Sequence, residues 1–404
     1  MKRILTVTML VLMTTLFFAY EVPNSNPCSD SINALNRAYQ ENPVFKTLID
    51  QAFNNMQPLP EGYLEGGNPW IGKDFKDLLT FLSEWATFLP QAVGSTDNGL
   101  KYIQKMDLFA YNNPFGRVVF QTSPGRELFN QFVAERGQFL DSSESTKYIE
   151  EWLSDPRIEK ADYVLPDPEA PDGGFENYND FFARTLKNQE ESRPQTMPDR
   201  DYIITAPTDG LLNSIPMKII EEDTKIKTKG TQTLNVQELL AGSNHWKRFV
   251  GGTALSCILM PNTYHHYHSP VDGEVIEARI LQGALIGMED FPSFVPPNGN
   301  VGYYGADFSA FENYQRGYFI IDTGKYGLVA AVPVGLSTVG SVVFEDKFLG
   351  ITSPIPVKRG DELGHFLYGG SLVILLFEPG KYGSDAIQVR LGNQIGTFST
   401  DSNQ

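Results

Sequence analysis

From about residue 200 onward the apolar residues come in short runs, each broken by glycine or proline. Tyr202 to Thr205, Ala254 to Met260, Glu274 to Leu281, Tyr318 to Asp322, Leu328 to Val332, Ser341 to Phe344 and Leu372 to Phe377 all have the length and composition of strands. This pattern predicts an all-β part built as a sandwich or barrel. Residues from about 30 to 160 differ. In Asp74 to Leu89, Phe75, Leu78, Leu79, Leu82, Ala86 and Leu89 recur at helical spacing. Asp74 is a start signal and Pro90 a stop. Pro43 to Met56, with Asn42 as cap, Arg126 to Phe139 and Ser145 to Leu153 follow the same rule. Residues 164–174 are rich in proline and glycine and predict a linker, with a short helix at Tyr178 to Leu186. The expected class is α+β: a helical N-terminal domain over 30–163, then a mostly antiparallel β domain over 175–404, sandwich- or barrel-like.

A chain of 404 residues has room for two domains. Its net charge of -17 argues against nucleic acid, whose phosphates need clustered Lys and Arg. It also weakens docking to an anionic bilayer, although Lys347, Lys358 and Arg359 are candidates for a local basic patch. Membrane contact is therefore not evident. Residues 1–19 have the form of an export signal: Lys2 and Arg3, an apolar stretch from Ile4 to Phe18, then Ala19. The expected location is periplasmic or extracellular. Phe17 is a poor residue for cleavage, so a tethered form stays open. Of the two cysteines, Cys257 has the setting of a buried apolar residue, and a bond to Cys28 is the less favoured alternative.

Three of the five histidines fall in Tyr264-His265-His266-Tyr267-His268-Ser269-Pro270. If this segment is extended, His266 and His268 share a face and His265 lies opposite. Imidazole is suited to act as a base near neutral pH. A zinc site is the obvious rival, but no carboxylate or thiolate stands at the usual spacing nearby, so no metal is assigned. A surface or packed cluster is the plainer alternative. Gly370-Ser371 opens the last long apolar run. A serine made nucleophilic by a base can attack the carbonyl before it, and glycine leaves that carbonyl unobstructed. Elimination from the resulting ester gives dehydroalanine, and hydrolysis of that gives a pyruvoyl group. Such a ketone serves decarboxylation as the aldehyde of pyridoxal phosphate does. By composition alone, Gly-Gly-Ser is a turn. Asp209, in Ala206-Pro-Thr-Asp-Gly210, is a third candidate, able to orient a histidine or merely to form a turn.

In this order the pieces resemble the phosphatidylserine decarboxylase family. The resemblance runs from about Phe175 to the C-terminus. It is carried by Phe175-Glu-Asn-Tyr-Asn-Asp-Phe-Phe-Ala-Arg184, Arg193-Pro194, the Asp209-Gly210 element and Tyr264-His-His-Tyr-His-Ser-Pro-Val-Asp-Gly273. Asn313-Tyr-Gln-Arg316, Val339-Gly-Ser341, Lys358-Arg-Gly-Asp-Glu-Leu-Gly364 and Gly370-Ser371 follow. The resemblance implies that Asp209, His268 and Ser371 form a self-cleavage triad and that His265 serves decarboxylation. It implies cleavage between Gly370 and Ser371, Ser371 becoming a covalent pyruvoyl group, with large and small chains remaining associated. His266 stands where the family usually has Arg, and Leu372 where it usually has Thr. The implied substrate is phosphatidylserine. A soluble branch of the family, which includes tryptophan decarboxylases, makes a free aromatic amino acid the alternative, with Tyr303, Tyr304 and Phe308 as candidate lining. Rival classes are a metal-dependent or Ser-His-Asp hydrolase, for which the Gly-x-Ser-x-Gly elbow is lacking, and a non-catalytic exported binding module using aromatics such as Phe291 and Phe294.

Overall fold

A computed structural model describes residues 21–59, 66–92, 101–212, 217–220, 233–260, 262–285, 314–336, 341–367, 370–383 and 388–398. The N-terminal part is helical, and its helices begin where the caps predict. Asp74 accepts hydrogen bonds from the Lys76 and Asp77 amides, Asp77 returns one from the Asp74 amide, and helix Phe75–Ala86 follows. The Asn42 side chain caps helix Pro43–Asn54 by accepting from the Val44 and Phe45 amides, with proline at its tolerated first position. Helix Gly125–Leu140 matches its apolar spacing. The next segment differs from expectation: Ser143–Tyr148 is a 3₁₀ helix and only Ile149–Leu153 is α. The Ser145 hydroxyl explains this, donating back to the carbonyls of Leu140 and Ser142 at 2.9 and 2.7 Å. Helices Ser29–Glu41, Lys101–Tyr111 and Gly116–Gln121 complete this part among the described residues.

The predicted linker is an irregular, turn-rich connection that is anchored at its start. Tyr163 bridges Leu186, the Val164 amide donates to Thr185, and Leu165 is buried with Trp152, Tyr178 and Phe181. Beyond it the short helix is Tyr178–Phe182.

The rest is mainly antiparallel sheet. Among the described residues the largest sheet has ten strands. Its path runs Ile355–Val357, Gly273–Leu281, Arg316–Asp322, Leu328–Leu336, Gly370–Phe377, Thr253–Leu259, Gly210–Leu212, Gln388–Val389. Strands Met217–Ile220 and Thr233–Asn235 branch from it and pair with each other in parallel. The path has two ends, so the sheet is open and the barrel alternative does not hold. Two three-stranded sheets accompany it. One holds Ile203–Thr205, Gln394–Phe398 and Tyr382–Gly383; the other Val342–Phe344, Glu362–Phe366 and His266–His268.

The central strand Gly370–Phe377 shows how the layers stack. Leu372, Ile374 and Leu376 pack into the core shared with the helices. Val373, Leu375 and Phe377 pack into a second core with Tyr267, Phe344, Phe366 and Ile395 of the small sheets. Burial on both faces is the reason this strand is apolar at every position from Leu372 to Phe377 rather than at alternate ones.

Two smaller expectations also meet the structure. Cys28 and Cys257 are both buried and free, and burial pushes each thiol up to about 12. Arg359 does not join a basic patch: it is buried and its guanidinium donates to the carbonyls of Thr196, Met197, Pro198 and Ile203.

Candidate active site

Strand register brings the predicted residues to one end of the large sheet. Ser371 opposes Leu259 on one side and Gly335 on the other. Leu211 opposes Ile258, so in the same ladder Gly210 comes level with Leu259. Asp209 therefore enters the sheet two strands from Ser371, roughly 10 Å away at the usual strand spacing. Glycine is required next to it, because a Cβ at Gly210 would lie 2.4 Å from the Ile258 carbonyl oxygen. The histidine segment starts a few residues beyond Leu259, after a turn closed by the Thr263 amide on Met260. It is tied on both sides: the His268 amide donates to Pro207, and the Phe366 amide to His265. Four residues after Phe366 comes Gly370.

Ser371 is fully buried at 1% exposure, and its hydroxyl has no hydrogen-bond partner among the described residues. An unmade bond at such a depth costs about 1–3 kcal/mol and asks for a reason.

His268 is buried and held at both nitrogens. Nδ1 lies 2.7 Å from the Gly360 carbonyl and must donate to it. Nε2 then carries the lone pair and accepts from the Tyr264 hydroxyl at 3.0 Å. Burial lowers this imidazole to about 4, against the opposing pull of the Gly360 carbonyl and the Glu362 and Asp209 charges. Burial also pushes the Tyr264 hydroxyl well up, so it stays a neutral donor.

His265 is completely buried, and neither ring nitrogen has a hydrogen-bond partner among the described residues. Its ring stacks on Phe182 at 3.7 Å between centroids. Burial first, and then the Arg184 charge, hold it well below the usual histidine range, while the nearby Thr263 backbone opposes this without reaching hydrogen-bonding geometry. The ring is thus neutral. His266–His268 does form a short strand, and the Tyr264 ring stacks on both His266 and His268 while His265 goes to Phe182. The alternation expected for an extended segment holds.

Asp209 is engaged elsewhere. Its carboxylate accepts from Arg193 through Nε and Nη2 at 2.8–3.0 Å and from the Leu391 amide at 2.7 Å. Arg193 is itself buried and also reaches Asp162 at 2.6 Å. Burial opposes its charge, but the hydrogen bonds and charges of Asp209 and Asp162 outweigh that and keep the guanidinium ionised. No hydrogen bond joins Asp209 to His268 among the described residues; the two interact through space.

Sequence reasoning assigned no role to Arg193, Tyr264, Glu362 or His365. Arg193 and Tyr264 stand within the quoted motifs, which was the available signal. Glu362 also stands within a quoted motif, but it and His365 gain their places beside His266 only through strand pairing. His266 contacts Glu362 through Nδ1 at 2.5 Å and the Ala183 carbonyl through Nε2 at 2.8 Å. Burial pushes Glu362 up, but the His266 hydrogen bond and the charges of His266, His268 and His365 hold it below the usual range. The aromatics Phe291, Phe294, Tyr303, Tyr304 and Phe308 lie outside the described residues. The cleft of about 460 Å³ beside Gly273, Thr323 and Lys358 includes none of Asp209, His265, His268 and Ser371.

Comparison with known proteins bears on these residues directly. The family model described as Phosphatidylserine decarboxylase matches residues 178–397, which include all four. Phosphatidylserine decarboxylase proenzyme 3 of Schizosaccharomyces pombe is 33% identical over 67% of this chain, which spans only 26% of that longer protein. Phosphatidylserine decarboxylase proenzyme of Fusobacterium nucleatum is 28% identical over 68% of this chain and 81% of its own length. Decarboxylase iboD of Amanita muscaria is 28% identical over 67% of this chain and 83% of its own. The chain belongs to the phosphatidylserine decarboxylase family, a family of carboxy-lyases.

Proposed function

We propose that the chain cleaves itself between Gly370 and Ser371 and then decarboxylates phosphatidylserine to phosphatidylethanolamine. The observation that carries this is the Ser371 hydroxyl: buried, unpartnered among the described residues, and preceded by glycine at the sheet end that Asp209 also enters and from which the histidine segment continues. In this reading Ser371 Oγ attacks the Gly370 carbonyl carbon. His268 Nε2 takes the hydroxyl proton, releasing the Tyr264 hydroxyl to do so. The C–N bond breaks as the Ser371 nitrogen gains a proton, leaving an ester. Loss of the Ser371 Cα proton then expels the Gly370 carboxylate and leaves dehydroalanine. Water replaces its nitrogen, which leaves as ammonia.

The pyruvoyl group so formed would supply an electron-withdrawing ketone to an amine substrate as it loses carbon dioxide. Ser371 fits this origin, since its own atoms become the group and no separate binding site is needed. His265 is the residue suited to relay a proton to the substrate, one ring nitrogen taking a proton as the other gives one up, since the ring is neutral and neither nitrogen is engaged among the described residues. Asp209 holds the processing end together through Arg193 and adds negative potential near His268.

Cleavage there leaves residues 371–404 as a small chain. Its first strand is paired on both sides, and strands Gln388–Val389 and Gln394–Phe398 pair with Gly210–Leu212 and Ile203–Thr205 of the large chain. These ladders would keep the chains associated. The export signal read at residues 1–19 would place the enzyme outside the cytoplasm; among the described residues no helix is long and apolar enough to cross a membrane.

The test supplies the purified protein with phosphatidylserine vesicles and, separately, with a panel of free amino acids. Carbon dioxide and phosphatidylethanolamine from the vesicles support the proposal. Turnover confined to a free amino acid overturns the lipid substrate.

A further inference from the structure

We propose that His266, Glu362 and His365 form a binding site for a divalent transition-metal ion of the zinc class. One ligand atom from each residue lies within 4.8 Å of the others. Sequence spacing could not show this, because the carboxylate and second imidazole come from the neighbouring strand, about a hundred residues away. His365 lies directly opposite His266 in the pairing of Glu362–Phe366 with His266–His268. In a regular strand, Glu362 and His365 would face opposite sides. The register shifts between Glu362 and Gly364, and this irregularity turns both towards His266. Gly364 permits it: a Cβ there would sit 2.0 Å from the Val343 carbonyl oxygen.

The donor set fits such an ion. Two imidazoles and one carboxylate select zinc-like metals over magnesium or calcium, which favour oxygen. His266 is already oriented as a ligand, since Nε2 lies 2.8 Å from the Ala183 carbonyl and leaves Nδ1 directed at Glu362. A hydrogen bond from the second nitrogen to a carbonyl is the usual support of a metal-bound histidine. Tetrahedral zinc would set its ligand atoms roughly 3.3 Å apart, so Nδ1 and Oε1, now 2.5 Å apart, need open only slightly. The ion would replace the proton these two atoms share. Glu362 keeps 34% of its side chain exposed, which gives solvent, and hence the ion, a way in and leaves a fourth coordination position.

The site adjoins the processing base. The His266 ring lies flat against Tyr264, at 4.8 Å and 5°, and Tyr264 hydrogen-bonds His268. Bound metal would fix His266 and, through that stack, help position Tyr264. Metal binding itself does not rest on self-cleavage or on the identity of the substrate.

The full-length protein, stripped with chelator, is titrated with cobalt(II) and followed by visible absorption, with zinc as competitor. The expected result is one equivalent of cobalt giving the intense bands of four-coordinate geometry, displaced by one equivalent of zinc. His365→Ala and, separately, Glu362→Gln should each lose that stoichiometric signal. A wild-type protein giving only the weak spectrum of aqueous cobalt overturns the proposal. So does a signal unchanged in both variants. The wild-type titration decides even where a variant fails to fold.

Discussion

Among the described residues His265 has no hydrogen-bond partner to lose at either nitrogen, so its replacement should remove chemistry while leaving processing intact. His265→Asn is expected to yield both chains normally and to release carbon dioxide about 10²–10⁴-fold more slowly, the usual span for a lost proton donor. A gel beside a carbon dioxide assay checks this, and wild-type turnover would remove His265 from the reaction. Asp209 is the opposite case. Asp209→Ala leaves Arg193 buried with Asp162 as its remaining carboxylate. Breaking one side of a buried pair costs about 3 kcal/mol, so urea unfolding should shift markedly as well as processing. The buried imidazoles also set a pH dependence. His268 titrates at about 4 when folded, against about 6.5 when unfolded. As pH falls below 6.5 the unfolded chain takes up the proton first, so stability present above that value is lost towards pH 4. His265, lowered in the same direction, adds to this. Glu362 and Asp209 oppose the trend, while His266 and Arg184 reinforce it. In chelator-treated protein, the loss between pH 7.5 and 5 should be on the order of 2 kcal/mol from His268, read as a lower urea midpoint. An unchanged midpoint would contradict the neutral, buried assignment.

Elements were legible in the sequence to the extent that their signals were local. The Asp74 capping box and the Asn42-Pro43 start are contained within a few residues, and both helices begin there. Asp74→Ala should therefore cost about 1 kcal/mol, measurable as a lower urea midpoint without loss of processing. The run Leu372 to Phe377 signalled a buried strand, and its two-sided burial accounts for the run. What local signals could not carry was pairing. Asp209, the histidines and Ser371 were recognisable one by one, yet Arg193's hold on Asp209 and the Gly360 carbonyl's on His268 depend on which strands and loops meet. The Glu362–Gly364 register shift was hidden for the same reason: an irregularity exists only relative to a partner strand. The prolines and glycines of 164–174 signalled the irregular, turn-rich connection that forms, but not that its Leu165 joins a core.

At the scale of the whole molecule, the large sheet is covered by helices on one face and by the two small sheets on the other. Ser371 begins a strand in the middle of that sheet, so a cut before it severs the chain without freeing a layer. The processed protein should accordingly elute as one species in native size exclusion and separate into two chains only in denaturant. Elution of the small chain alone would contradict the pairing as the source of association.

Self-cleavage at Gly370–Ser371 is the claim on which the chemistry depends, and intact mass under denaturing conditions tests it most directly. Wild-type protein should give two masses, a large chain ending at Gly370 and a small chain of residues 371–404 carrying a pyruvoyl group in place of an amino terminus. Ser371→Ala should give one uncut mass and no carbon dioxide release, because no hydroxyl remains to attack. A single uncut chain in the wild type, or two chains in Ser371→Ala, would contradict the account.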